Sequence, residues 1–216
     1  MRVADAGAVA AIYAEGIAEW IATFETRAPD AEQVAGWVTA FPVVVVEAPD
    51  GRVVGWASAP AYRPARAAYA GVREFSVYVA RDARGLGVGE PSAARRKSLL
   101  PLRRPEGAPL RCRRRTCHQH ALLLRLAVHP TGSPQGSTDL RRAALALRAL
   151  LDACRAAGHW KLVGRIFPEN VASLALCRRL GFREVGVYRR HARLDGAWRD
   201  CVIVERLIGE AADGPR

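Results

Sequence analysis

One stretch of the 216-residue chain combines residue types and spacing that can do chemistry. Phe75 to Val79 reads as a strand, and Arg84-Gly85-Leu86-Gly87-Val88-Gly89 follows it closely. With no side chains at Gly85, Gly87 and Gly89, successive backbone N–H groups can close around a pyrophosphate at a helix N-terminus. A plain glycine-rich turn has the same composition, so the glycines alone do not decide. A second grouping, Cys112-x4-Cys117-His118-x-His120, has the ligand types of a zinc site. Its spacing fits no common zinc module, and Arg113, Arg114 and Arg115 would repel a cation, so no metal is expected.

The elements that must position the loop can be read from periodicity. Val9, Ile12, Tyr13, Ile17 and Trp20 recur at helical spacing, and Pro29-Asp30 opens a second helix over Ala31 to Thr39. Pro42 to Glu47 and Val53 to Ser58 are strands joined by an Asp50-Gly51 turn. A helix over Leu140 to Ala157 presents Leu140, Ala144, Leu147, Leu151 and Cys154 on one face, with Asp139 as its N-cap and Gly158 at its end. Leu162 to Phe167 is a strand and Val171 to Leu180 a helix. Glu184 to Arg189 and Cys201 to Leu207 are strands, with an Asp195-Gly196 turn between them. The fold class is α+β, an antiparallel sheet flanked by a few helices.

Several ordered segments carry a resemblance. Ser76-Val77-Tyr78-Val79 followed by Arg84-x-x-Gly87-x-Gly89 resembles the acetyl-CoA loop of the GNAT acetyltransferase superfamily. Ala22-Thr23-Phe24-Glu25-Thr26, Tyr62-Arg63-Pro64 with Arg66 and Tyr69, and Glu74 before the strand are similar to the phosphinothricin acetyltransferase branch. So are Asn170-x-x-Ser173, Leu180-Gly181-Phe182 and Gly196-x-Trp198-x-Asp200. That branch also holds enzymes similar to arsinothricin and methionine-sulfoximine N-acetyltransferases. The resemblance runs from about Ala8 to Ile208, apart from one interrupting segment.

The resemblance implies a GNAT-like mixed, mostly antiparallel twisted sheet and acetyl transfer from acetyl-CoA, as co-substrate, to a small-molecule amine such as phosphinothricin. Glu74 would be the general base. The backbone at Val77 and Val79 would hold the thioester carbonyl and pantetheine arm, and Arg84, Gly85, Gly87 and Gly89 the pyrophosphate. Asn170 and Ser173 would also meet the cofactor; Asn170 reads equally as the N-cap of the helix it precedes. Arg66, Tyr69 and Arg73 are candidates for an anionic acceptor, because guanidinium groups suit carboxylate, phosphinate or arsinate. A salt bridge from Glu74 to Arg66 or Arg73 is the plainer alternative for that carboxylate. A homodimer is implied by the relatives.

Three departures stand out. The family's first strand is curtailed, which weakens one sheet edge. Cys177 replaces a histidine common in the phosphinothricin enzymes, and burial is its expected role. The largest departure is residues 90–140, which separate the loop from the helix that should follow it. Either Asp139–Arg142 return to Gly89, placing an opposing carboxylate near the pyrophosphate, or Pro91-Ser92-Ala93-Ala94 supplies a substitute first turn.

That segment also explains the composition. The chain carries +12, yet 90–140 holds ten Lys/Arg against three acids and lacks Phe, Tyr and Trp. It is expected to be disordered and resembles GC-rich DNA read out of frame. The expected organisation is one acetyltransferase domain in two parts, 1–89 and 141–208, with the insertion 90–140 between them and a tail, 209–216. Nucleic-acid binding by the insertion, in a catalytically impaired GNAT-fold protein, is a rival reading disfavoured by the missing aromatics. A GNAT enzyme acetylating a protein N-terminus or other amine is a closer rival. Five scattered cysteines suit reduced thiols in a cytosol, and nothing reads as a signal peptide or membrane span.

Overall fold

Four successive valines, Val43 to Val46, are fully buried, as β-branched residues are when both faces of a strand are covered. They form most of β1 (Val43–Glu47) in a computed structural model that describes residues 1–20, 22–84, 124–127 and 138–213. Before it stand α1 (Ala6–Ala18) and α2 (Ala31–Ala40). Asp30 starts α2 as a capping box, its side chain accepting from the Gln33 N–H at 2.8 Å while Gln33 accepts from the Asp30 N–H. The Asp50-Gly51 turn returns β1 into β2 (Val53–Ser58), antiparallel, with Gly51 at φ 84°.

The chain then crosses between two sheets. Val72–Glu74 (β3) lies parallel to β6 (Lys161–Ile166), with Glu74 opposite Val163. One residue later Ser76–Val79 (β4) has left β6 and pairs antiparallel with β2, Val77 opposite Ala57. The first sheet runs β4-β2-β1-β5 and the second β3-β6-β8-β7. The fold class is therefore as expected, mixed and mostly antiparallel, but its strands part between β4 and β6.

The outer edge of β1 is taken by Leu124–Ala127 (β5), whose backbone lies parallel to it with Val44 opposite Leu124. These four residues come from the segment expected to be disordered; the rest of 90–137 lies outside the described residues. At the N-terminus Val3–Asp5 form a 3-10 turn, so the edge position next to β1 is filled from this later segment.

Helix α3 (Thr138–Ala156) packs against β1, β2 and β4. It starts one residue before Asp139, so Asp139 falls in its first turn. Its buried arc, Ala146, Leu147, Ala149, Leu150, Leu151, Ala153 and Cys154, is wider than the predicted stripe because strands of the first sheet cover it broadly. After β6 come α4 (Val171–Arg179) and the hairpin β7 (Arg183–Leu194) and β8 (Ala197–Leu207), then a short α5 (Glu210–Asp213). Asp195 and Gly196 have φ 48° and 74°, the left-handed pair a two-residue hairpin turn needs. An aromatic cluster of Tyr13, Trp37, Trp56 and Tyr78 fills the space between α1, α2 and the first sheet.

Candidate active site

The parting of β4 from β6 leaves one edge of β4 without a strand neighbour among the described residues. Along β4 the N–H groups alternate in direction. The Ala80 N–H bonds Val54 on the β2 side, and the Phe75 N–H bonds Val163 on the β6 side. By that alternation Val77 and Val79 turn their N–H groups away from β2 and into the gap. The gap is bounded by Gly164, Arg165 and Ile166 of β6, by Asn170 and Ser173 at the head of α4, and by Cys177 two turns further along it.

Continuous with it is a larger groove of about 250 Å³ between the end of β4, α3 and α4. Val77, Val79, Arg84, Asn170 and Ser173 line it together, with Leu140 and Ala143 of α3 and Leu176 of α4. Five of these are the cofactor-binding residues expected from the sequence that lie among the described residues. Asn170 is the N-cap of α4, its Oδ1 accepting from the Ser173 N–H at 3.1 Å. Arg84 donates to the Val79 carbonyl at 2.7 Å and pairs with Glu19 of α1 at 2.5 Å. Burial opposes ionisation of Glu19, but hydrogen bonds and charge from Arg84 and Arg81 prevail and lower its pKa. Glu19 had no signal in the sequence beyond a carboxylate at the end of a helix.

Gly85, Gly87 and Gly89 lie outside the described residues, as does the Cys112–His120 grouping. The helix after the insertion does come back to the strand. Arg142 of α3 donates from Nη1 to the Ala83 carbonyl, beside Arg84. Gly89 and residues 91–94, on which the two expected arrangements for the start of that helix turn, lie outside the described residues.

Glu74 ends β3 at the point of parting. Its ionic partner is neither Arg66 nor Arg73 but Arg165, whose Nε and Nη2 reach Oε1 at 2.6 and 2.5 Å. Glu74 faces Val163 across the β3–β6 pair, and Arg165 stands two residues beyond Val163 on the same face. Phe24 packs edge-on against Phe167 at 4.6 Å and near His191 at 5.8 Å. Cys201, pushed up to about 11 by burial, is close enough to Arg165 and Glu74 to feel both charges.

Alternation sends Arg73 to the opposite side from Glu74. There it lies near the buried Cys154 and His159, and burial lowers its pKa. It is not assembled with Glu74 into one site. Arg66 is exposed and Tyr69 half-buried on the Ala67–Tyr69 turn; neither lines the groove. Arg63 lies over both Tyr62 and Tyr69, at 5.3 and 5.4 Å from their ring centres. Cys177 is buried as expected, its thiol pushed up to about 12, and lines the gap. Among the described residues no cluster of three His, Cys, Asp or Glu could hold a metal, and no helix is long and apolar enough to cross a membrane.

Known proteins share this architecture. No family model matches the chain. It is 38% identical over 116 residues to the phosphinothricin N-acetyltransferase of Alcaligenes faecalis, a match covering 51% of the chain and about half, 55%, of that enzyme's length. It is 24% identical over 218 residues to an L-methionine sulfoximine/L-methionine sulfone acetyltransferase of Pseudomonas paraeruginosa, covering 99% of the chain and 95% of the relative. A GNAT superfamily phosphinothricin acetyltransferase from Sinorhizobium meliloti, solved with acetyl-CoA, superposes with a TM-score of 0.66 at 23% identity, covering 100% and 89% of the two chains. A ribosomal-protein-alanine N-acetyltransferase from Brucella melitensis gives 0.66 at 24%, covering 96% and 97%.

Proposed function

From a chain whose fold is that of the GNAT superfamily, we propose an N-acetyltransferase that moves acetyl from acetyl-CoA to the amine of a small amino-acid-like acceptor. The carrying observation is the free edge of β4, with the Val77 and Val79 N–H groups turned into a groove that Asn170 and Ser173 cap. An extended thiol arm laid along that edge would complete the ladder that β6 leaves open. The relatives named above favour phosphinothricin, methionine sulfoximine or methionine sulfone as acceptor.

The groove fits such a ligand from this chain's own atoms. Val77 and Val79 offer aligned amide donors, preorganised by pairing on their other side, where negative charge develops on a thioester oxygen. The head of α4 adds the positive end of a helix, and Arg84 with Gly85, Gly87 and Gly89 is the proposed pyrophosphate loop. Glu74 is the proposed base, receiving one proton from the acceptor's ammonium. The freed lone pair forms the N–C bond, the C–S bond breaks, and the thiolate leaves, taking up the second proton that the nitrogen gives up as it becomes an amide. Arg66 and Tyr69 stay as acceptor contacts from the loop; Arg73, facing α3, does not.

The test is release of CoA thiol from acetyl-CoA in the presence of phosphinothricin, L-methionine sulfone and a panel of peptide N-termini. Wild-type protein should turn over the amino-acid acceptors, and Glu74→Gln should lower kcat by at least about 100-fold. Unchanged turnover in that variant removes Glu74 from the role. Preference for peptide N-termini would replace the acceptor class.

A further inference from the structure

We propose that Arg165 is the anchor for the acceptor's anionic group and that taking up this anion frees Glu74 to act; the proposal rests on the acetyltransferase reading above. Among the described residues, Arg165 is the one charged side chain of the eleven that line the gap between β4 and β6. The other ten are glycine, apolar or neutral polar groups, so within this lining Arg165 is the positive centre a ligand would meet. That centre is 42% exposed, whereas Arg84 in the adjoining groove is 29% exposed and pairs with Glu19.

The Glu74–Arg165 pair has unused capacity. Both bonds, from Nε and Nη2, converge on a single carboxylate oxygen, Oε1. This is not the two-oxygen fork that a guanidinium makes with a carboxylate, and among the described residues the guanidinium pairs with no second carboxylate. The pair also holds the Glu74 carboxylate turned toward Arg165. An acceptor carrying carboxylate or phosphinate competes for the guanidinium, loosens its hold on the Glu74 carboxylate, and lets that carboxylate turn to the acceptor's own ammonium. An amine without the anion leaves Glu74 tied to Arg165. Selectivity for amino-acid-like acceptors would thus lie in the same contact that restrains the base.

The probes are L-methionine sulfone and its carboxamide, which share the amine and differ in the anion. For wild type, Arg165→Lys and Arg165→Gln, kcat/KM of CoA release is measured with each. Comparing ratios between proteins cancels the difference in amine basicity. Wild type should favour the acid by about 100-fold, and Arg165→Gln should cut that preference at least about tenfold through KM for the acid. Arg165→Lys, which keeps charge without the fork, should restore part of it. Circular dichroism checks that the variants fold. A preference kept in Arg165→Gln, or absent in wild type, overturns the role of Arg165 and leaves acetyl transfer standing. No release with either acceptor or with the wider amine panel, from folded wild type, overturns both readings.

Discussion

Arg142 of α3 donates to the carbonyl of Ala83, fastening the helix that follows the insertion to the end of β4 across 59 positions of sequence. The bond sets the α3 wall of the groove against Arg84. Arg142→Ala should weaken acetyl-CoA binding about three- to tenfold, a part of the roughly 1.5–3 kcal/mol that one hydrogen bond from a charged donor is worth. Isothermal calorimetry measures it; unchanged affinity would show that the helix is held in place without this bond.

Gly164 sits where β6 faces the gap, and a Cβ there would stand 2.5 Å from Cε1 of Phe75 and 3.1 Å from Cγ2 of Val204. Phe75 is in turn packed on Phe182, with ring centres 4.9 Å apart. Gly164→Ala should cost about 1–3 kcal/mol by overpacking, read from urea denaturation. Because Phe75 lies between Glu74 and Ser76, the same variant should lose activity beyond its loss of stability.

His159 is half-buried near Arg73, and burial together with that charge lowers its pKa from 6.5 to about 4. A histidine kept neutral by the fold stabilises it above the unfolded value of 6.5. That contribution declines as pH falls toward 4, where the unfolded chain binds the proton more readily. Thermal melts of wild type should therefore drop between pH 6.5 and 4, and His159→Gln should flatten that part of the profile. An equally steep profile in the variant would assign the slope elsewhere.

The β1–β5 pairing gives residues 124–127 a structural task. Leu126→Pro removes a backbone donor from β5 and should lower Tm by a few degrees while leaving acetyl-CoA affinity within about twofold. A Tm unchanged by the substitution would mean that β1 does not depend on this partner.

Much of this architecture was legible in the sequence because it is written locally. Asp30 with Gln33, the Asp50-Gly51 and Asp195-Gly196 turns, and Asn170 ahead of Ser173 each carry their geometry in adjacent residues. Val77, Val79, Arg84, Asn170 and Ser173 were named together because a family pattern links them, and they do line one groove. The ionic partners were not legible. Glu74 meets Arg165 across 91 positions and Arg84 meets Glu19 across 65, so only strand register and helix packing could join them. Arg73 misled for a related reason: next to Glu74 in sequence, it is sent to the other face by the period of a strand. A lone arginine in the otherwise apolar run Leu162 to Phe167 was the available hint to Arg165. The β5 pairing had no such hint, since the aromatic-free composition around it argues against order.

The central claim is that the groove along β4 holds acetyl-CoA despite the interruption between Gly89 and α3. Calorimetric titration of the intact chain with acetyl-CoA tests it most directly. One site per chain is expected, with Kd in the range of about 1 µM to 1 mM that is usual for the KM of enzyme substrates. A chain that melts cooperatively and shows its native circular dichroism, yet takes up no acetyl-CoA at millimolar concentration, would contradict it.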